Sequence, residues 1–219
     1  MPKPRRDKQL KIFEIFHSLQ GESNLSGLPT VFVRLTGCPL RCTWCDTEYA
    51  FFGGNWMHYD AILIEVKKHG TPYVCVTGGE PLAQKRVHGL LDLLVEQGFV
   101  VSLETAGSLS VEQVNPKVIK IVDLKAPGSG EVEKNLYDNL ALLTMQDQVK
   151  FVIADEIDYR WCKEIIAEHQ LAHQCQILIS PVADVLPPKQ LADWILQDQL
   201  PARFQIQLHK HLWGDQPGT

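Results

Sequence analysis

The sequence predicts an α/β protein with a parallel sheet, and three observations lead there. Short apolar runs rich in β-branched residues recur along the chain. Stretches with helical apolar spacing separate several of them, and the chemically unusual residues fall just after the runs. Buried strands alternating with amphipathic helices read as β/α architecture, either a barrel or an open sheet. In both, chemistry gathers at the C-terminal ends of the strands.

Taken in order, residues 10–16 are rich in strand formers, and 18–29 carries loop signals at Gly21, Gly27 and Pro29. Residues 31–35 read as a short buried strand. Residues 48–59 hold aromatics and glycines without a clear period and are read as irregular. Residues 60–69 read as a helix ending at Gly70. A regular alternation then begins with a strand at 73–77. Val87, Leu90, Leu91, Leu94 and Val95 mark one apolar face of a helix that stops at Gly98. Strands follow at 99–103 and 118–122. Val132, Leu136, Leu140 and Leu143 mark a helix, and 149–153 a strand. Ile157, Trp161, Ile165 and Ile166 give a helix with Asp155 as its N-cap. The chain closes with a strand at 176–179, a helix carrying Leu191, Trp194 and Ile195 after Pro187-Pro188, and a strand at 204–208.

The length of 219 residues suits one large domain over 10–219, with residues 1–9 as a flexible basic tail built on Lys3-Pro4-Arg5-Arg6 and Lys8. A net charge of −5 gives no electrostatic case for binding nucleic acid. No apolar run approaches a membrane span, and nothing apolar follows the basic tail as in a signal peptide. The chain is therefore read as cytoplasmic. Cys75, Cys162 and Cys175 are scattered through apolar runs and read as core packing rather than a disulfide framework.

The informative stretch is Gly37-Cys38-Pro39-Leu40-Arg41-Cys42-Thr43-Trp44-Cys45-Asp46-Thr47, directly after the strand at 31–35. Three thiolates at C-x3-C-x2-C suit zinc, copper(I) or an iron–sulfur cluster. The fourth cysteine of a four-iron cluster is missing, so one iron would stay open to substrate. A closed zinc site would need a distant fourth ligand, because the nearest histidines are His17 and His58. The second stretch, Thr77-Gly78-Gly79-Glu80-Pro81, follows Val76 at the end of the strand at 73–77. Its two glycines let backbone approach a ligand closely. Glu104-Thr105-Ala106-Gly107, Asp123-Leu124-Lys125, Ser180-Pro181 and His209-Lys210-His211 likewise follow strand-like runs.

Cys38, Cys42 and Cys45, with the aromatic Trp44, and Gly78-Gly79-Glu80 together resemble the radical S-adenosylmethionine (SAM) superfamily. That resemblance implies a partial, incomplete β/α barrel with parallel strands. It also implies a [4Fe-4S] cluster on the three cysteines, with S-adenosylmethionine chelating the open iron. Leu19-Gln20-Gly21-Glu22, Arg34, Cys45-Asp46-Thr47, Glu104-Thr105 and Gln207-Leu208-His209-Lys210 narrow the resemblance to the 7-carboxy-7-deazaguanine synthase family. That family rearranges 6-carboxy-5,6,7,8-tetrahydropterin to 7-carboxy-7-deazaguanine, releasing ammonia, on the route to queuosine. It uses S-adenosylmethionine catalytically and requires Mg2+.

Residue roles implied by the resemblance follow. Thr47 falls where the family places a Mg2+ ligand. Leu19, Gln20, Gly21, Arg34 and Thr77 fall where it contacts the pterin. Trp44, Cys45, Asp46, Gly79, Asp123, Leu124, Lys125, Ser180, Pro181, Val182 and Ala183 fall where S-adenosylmethionine is expected. An electron donor such as a flavodoxin and a homodimer are implied as well. On residue chemistry alone, Arg34 suits a carboxylate, which a guanidinium can bind bidentately. The bland alternatives are a surface ion pair for Arg34 and a loop cap for Thr47. Two further readings stay open: a glycyl-radical-activating enzyme with the same cysteine loop, and a zinc-stabilised binding module.

Overall fold

The computed structural model describes residues 7–214, Gln216 and Gly218. The basic cluster at residues 3–6 lies outside them. Two long strands start the chain, β1 (Gln9–Leu19) and β2 (Pro29–Leu35), followed by β3 (Asn55–His58) and helix α1 (Tyr59–Lys67). The alternation continues with β4 (Tyr73–Gly78), α2 (Val87–Glu96), β5 (Val100–Thr105), β6 (Ile119–Leu124), β7 (Gln148–Ile153) and α3 (Glu156–Glu168). It ends with β8 (Gln176–Pro181), α4 (Pro188–Gln197), β9 (Arg203–Phe204) and α5 (Leu208–Trp213). Among the described residues they form one open sheet in the order β3-β1-β2-β4-β5-β6-β7-β8-β9. From β2 to β9 every neighbouring pair is parallel, whereas β1 runs antiparallel to β2 and β3. The sheet is therefore the incomplete barrel expected, with an antiparallel addition at its first edge.

The parallel strands are buried on both faces, as helices on one side and a filled interior on the other require. Val31, Val33, Leu35, Val74, Val76, Leu103, Val122, Val149, Phe151 and Ile153 share one face and are almost wholly inaccessible, and Phe32, Cys75, Ser102 and Ile121 are buried on the other. Helix α2 buries Val87, Leu90, Leu91 and Leu94, the stripe read from its spacing, and the chain turns at Gly98 with a left-handed φ of 85°. Asp155 caps α3, accepting a hydrogen bond from the Asp158 amide at 2.9 Å.

Four local expectations change. Residues 48–59 are not irregular throughout, because β3 pairs Asn55 with Ile12 and His58 with Gln9. Its exposed residues carry no apolar period, so only the long partner β1 reveals it. Strand β1 runs on to Leu19, opposite Pro29, and so takes in residues read as loop. The helix expected over Val132–Leu143 is instead a set of 3-10 turns at Val132–Lys134 and Tyr137–Leu142. Two asparagines redirect it. The Asn135 side chain accepts from Lys125 N (2.8 Å) and donates to Lys125 O (2.9 Å). Asn139 accepts from Val111 N and donates to Leu109 O. Side chains that hydrogen-bond distant backbone compete with helix formation.

The strand expected at 204–208 stops at Phe204. Gln205 N still donates to Ile179 O, but its side chain grips Ser23, accepting from Ser23 N (3.0 Å) and donating to Ser23 O (2.6 Å). The chain then turns into α5. The segment after β1 therefore crosses the barrel interior. Asn24 N donates to Gln148 Oε1, and Gln148 Nε2 to Asn24 Oδ1, tying it to β7 as Gln205 ties it to the end of β9. Ser23 holds a left-handed φ of 71° while almost fully buried, a conformation kept by these contacts.

Candidate active site

One cleft of about 370 Å³, the size of a small-ligand pocket, opens over the interior at the C-terminal strand ends. It is lined by Cys38, Cys42 and Cys45, by Gly79, Glu104 and Thr105, and by Asp123, Lys125 and Lys150. Residues separated by more than a hundred positions thus meet where the parallel architecture predicts.

The cysteine loop is braced on both sides. Gly37 N donates to Ala50 O, and Thr43 N and Oγ1 both donate to Ser129 O at 3.0 and 3.1 Å. Arg41 N donates to Glu131 Oε1, and the Arg41 guanidinium sits 4.2 Å from the Phe51 ring centre. The Arg41 Nη1 group also donates to Cys38 O and Leu40 O. Beneath the loop, β4 ends on Gly78, and Gly79 follows it. A Cβ on Gly78 would meet Leu35 O at 2.3 Å, and one on Gly79 would meet Gly37 O at 2.3 Å and Cys38 Cβ at 2.7 Å. The glycine pair therefore lets the protein's own backbone press against the loop, with Gly79 still facing the cleft. Glu80 is wholly buried and accepts from Leu82 N, Thr105 Oγ1 and Ala106 N. It locks the ends of β4 and β5 together.

All three loop thiols are free and half-buried. Burial raises the Cys38 thiol and pushes Cys42 up to about 11, with Lys125 pulling Cys42 the other way. Three soft sulfurs from one loop, facing one cleft with Lys125 beside them, fit a cluster held by three thiolates. Thr47 also lines the cleft, its Oγ1 3.8 Å from Cys45 Sγ.

A charged network forms the cleft floor. Lys150 Nζ lies 2.7 Å from Glu22 Oε2 and 3.6 Å from Asp123 Oδ2, and Lys125 Nζ lies 3.1 Å from Asp123 Oδ1. Burial opposes the Lys150 charge, but Glu22 and Asp123 outweigh it and hold the ammonium well above the ordinary lysine range. Glu104 accepts from Gln20 Nε2 (3.3 Å) and Thr77 Oγ1 (2.9 Å). Arg34 gives its Nε to Glu14 Oε1 at 2.7 Å and stacks near Phe16 and Tyr49. Among the described residues its two terminal nitrogens have no hydrogen-bond partner.

Helix α5 covers one side. Leu208 N donates to Gly21 O, Gln207 Nε2 donates to Asp46 Oδ2 at 3.3 Å, and Lys210 Nζ lies 4.0 Å from the same oxygen. Burial alone would raise the Asp46 carboxyl; Lys150, Lys210, His209 and Arg34 outweigh it and hold it below the usual carboxylate range. A Cβ on Gly21 would meet His209 Nδ1 at 2.0 Å. The Gly21→Ala variant is therefore expected to loosen α5 while the sheet stays folded. Limited proteolysis would show faster cleavage near residue 208 with an unchanged circular dichroism spectrum; equal cleavage rates would count against this docking.

Most residues singled out from sequence line this cleft: Leu19, Gln20, Gly21, Arg34, Trp44, Cys45, Asp46, Thr47, Thr77, Gly79, Asp123, Lys125, Val182 and Ala183. Leu124, Ser180 and Pro181 do not. Asp123 and Leu124 lie inside β6, where successive side chains face opposite ways, so Asp123 reaches the cleft and Leu124 packs in the core. Ser180 and Pro181 are likewise the buried last residues of β8. Glu14, Glu22, Tyr49, Lys150 and Gln207 were given no role from sequence. Lys150 had a readable signal: a cation inside the apolar run of 149–153.

Residues 32–122 match the Radical SAM superfamily. The chain is 46% identical to the 7-carboxy-7-deazaguanine synthase of Chlorobaculum tepidum, with 94% of each chain covered. It is 42% identical to that of Koribacter versatilis, over 93% of this chain and 97% of the relative. The crystal structure of QueE from Escherichia coli superposes with a TM-score of 0.75 at 25% identity, covering 92% of this chain and 95% of that one. Such full-length similarity favours this family over a glycyl-radical activator or a zinc-stabilised module. The chain belongs to the 7-carboxy-7-deazaguanine synthase family of radical SAM enzymes.

Proposed function

We infer that the cleft rearranges 6-carboxy-5,6,7,8-tetrahydropterin to 7-carboxy-7-deazaguanine with release of ammonia. The observation that carries this reading is the convergence, in one cleft, of three free cysteines with Arg34, Gln20, Thr77 and Glu104. Cys38, Cys42 and Cys45 would hold a [4Fe-4S] cluster. With S-adenosylmethionine bound, that group supplies a 5′-deoxyadenosyl radical able to take hydrogen from carbon.

The chain's own part is to bind, orient and exclude water. Arg34 lines the cleft, and its terminal nitrogens, without a hydrogen-bond partner among the described residues, would offer the pterin carboxylate a two-pronged donor. Glu104, fixed by Gln20 and Thr77, presents an acceptor suited to the amino and ring N–H edge of the pterin. Trp44, Cys45, Asp46, Gly79, Asp123, Lys125, Val182 and Ala183, all of which line the cleft, would contact S-adenosylmethionine. The buried places of Leu124, Ser180 and Pro181 limit them to backbone contact or support. Thr47 offers Mg2+ a neutral oxygen, with substrate and water completing the shell. Among the described residues no three acidic, histidine or cysteine side chains converge on a single ion. The reading includes a reductant such as a flavodoxin and a homodimer in the cytoplasm. No helix among the described residues is long and apolar enough to cross a membrane.

The test is an anaerobic assay with carboxytetrahydropterin, S-adenosylmethionine, a reductant and Mg2+, run with and without the metal. Product formation that rises with Mg2+ is expected; no deazapurine under any of these conditions would overturn the reading. For Arg34→Ala, losing a charged hydrogen-bonding group of roughly 1.5–3 kcal/mol is expected to raise the KM for the pterin by about 10- to 100-fold. Cluster absorbance should stay unchanged. An unaltered KM would remove Arg34 from the carboxylate site.

A further inference from the structure

We propose that Glu14 is the positioning residue that makes Arg34 a receptor for a carboxylate, so that a bulge in β1 fits this barrel to a carboxylated substrate. This role presupposes that Arg34 binds the pterin carboxylate. Strand β1 precedes residues 32–122, the stretch that matches the superfamily. Its pairing with β2 carries one extra residue. Ile12 opposes Leu35, but Glu14, and not Phe13, opposes Arg34. A bulge of this kind re-aims the side chains that follow it. Regular pairing from Ile12 would instead put Phe13 opposite Arg34 and Ile15 opposite Phe32, turning Glu14 and Phe16 to the other face. With the bulge, Glu14 reaches Arg34, and Phe16 stacks on Phe32 at 4.9 Å in the lining of the cleft.

Glu14 is not among the residues lining the cleft, so it acts through Arg34. A guanidinium can grip a carboxylate along the edge that contains Nε or along the edge formed by its two terminal nitrogens. Glu14 Oε1 accepts from Nε at 2.7 Å, which occupies the first edge and leaves the second for a ligand. The Tyr49 hydroxyl donates to the same oxygen at 3.2 Å. The guanidinium carbon lies 5.4 Å from the Phe16 ring centre and 5.8 Å from that of Tyr49. These contacts order a long side chain in advance, so binding need not supply that entropy. A rival acid also stands within electrostatic reach. Arg34 is one of the cations that hold the Asp46 carboxyl below the usual range. Without Glu14, Arg34 at 12% exposure would lose its ion pair and be drawn toward Asp46, away from the ligand.

The test is anaerobic equilibrium dialysis of the reconstituted enzyme with S-adenosylmethionine against 6-carboxypterin and, separately, pterin-6-carboxamide, which keeps the ring and removes the charge. Wild type is expected to bind the acid at least about tenfold more tightly than the amide. In Glu14→Ala that preference should fall to about twofold or less, with affinity for the amide unchanged, which also reports that the variant is folded. Glu14→Gln keeps an oxygen for Nε and should keep most of the preference. Tyr49→Phe removes one hydrogen bond to Glu14 and should lower the preference roughly threefold. Equal loss for both ligands in Glu14→Ala would reveal a general structural role. Unchanged or tighter binding of the acid would show that Glu14 merely competes for Arg34. Either result overturns the proposal, and if Glu14→Ala does not fold, an undiminished preference in Tyr49→Phe does so. A wild-type protein that binds acid and amide alike would instead remove Arg34 from the carboxylate site, and the role of Glu14 with it.

Discussion

Changing Cys42 to alanine is expected to abolish iron and sulfide retention and to bring product formation below detection, while the protein stays folded. The side chain is half-buried in a loop whose bracing runs through other residues: Gly37 to Ala50, Thr43 to Ser129 and Arg41 to Glu131. Its own backbone carbonyl still accepts from Cys45 N after the change. The fold therefore has little to lose, whereas a cluster held by three sulfurs loses a third of its protein ligands. Iron and sulfide analysis, the visible absorbance of anaerobically handled protein and circular dichroism together read this out. A variant that keeps a full complement of iron and normal turnover would remove the cysteine loop from the chemistry.

Lys150→Met is expected to be the most destabilising single change in the cleft. Lys150, Glu22 and Asp123 are 13%, 14% and 20% exposed, so the substitution leaves Glu22 without its ion pair, and Asp123 with Lys125 alone, in a poorly solvated place. Breaking a buried pair by removing one partner costs on the order of 3–5 kcal/mol, and a urea midpoint measures it. Adding Glu22→Gln should recover part of the loss, because it removes the stranded charge. The native ammonium titrates above its unfolded value, so its contribution is fully present below roughly pH 10. It fades only as pH rises through the higher folded value. The penalty should thus be the same at pH 6 and pH 8. A loss under about 1 kcal/mol would show the network to be solvated and loosely coupled.

Much of this protein is legible before folding. The stripe on α2, the Asp155 cap and the parallel strands from β2 to β8 follow from spacing, because 3.6- and 2-residue periods decide which side chains can share a face. The cysteine loop and glycine pair are equally plain, since ligand spacing within one loop is a local property. Position along the chain was a poorer guide at the strand ends. Leu124 and Pro181 sit among cleft residues in sequence but lie within strands and are buried. Residues 132–143 carry apolar spacing, yet Asn135 and Asn139 bind carbonyls and amides that only the assembled fold brings near.

By itself, then, the sequence determined the family, the β/α alternation and the three sulfur ligands, all encoded in neighbours along the chain. The tertiary structure alone decided that the loop after β1 crosses the barrel to meet β7 and the end of β9, that Glu22 and Asp123 share one lysine, and that α5 closes over Asp46. Those pairings join residues up to 182 positions apart, as Ser23 and Gln205 are. No local period or propensity encodes such contacts. They exist because burying the parallel sheet forces distant polar groups into one interior, where each must find a partner.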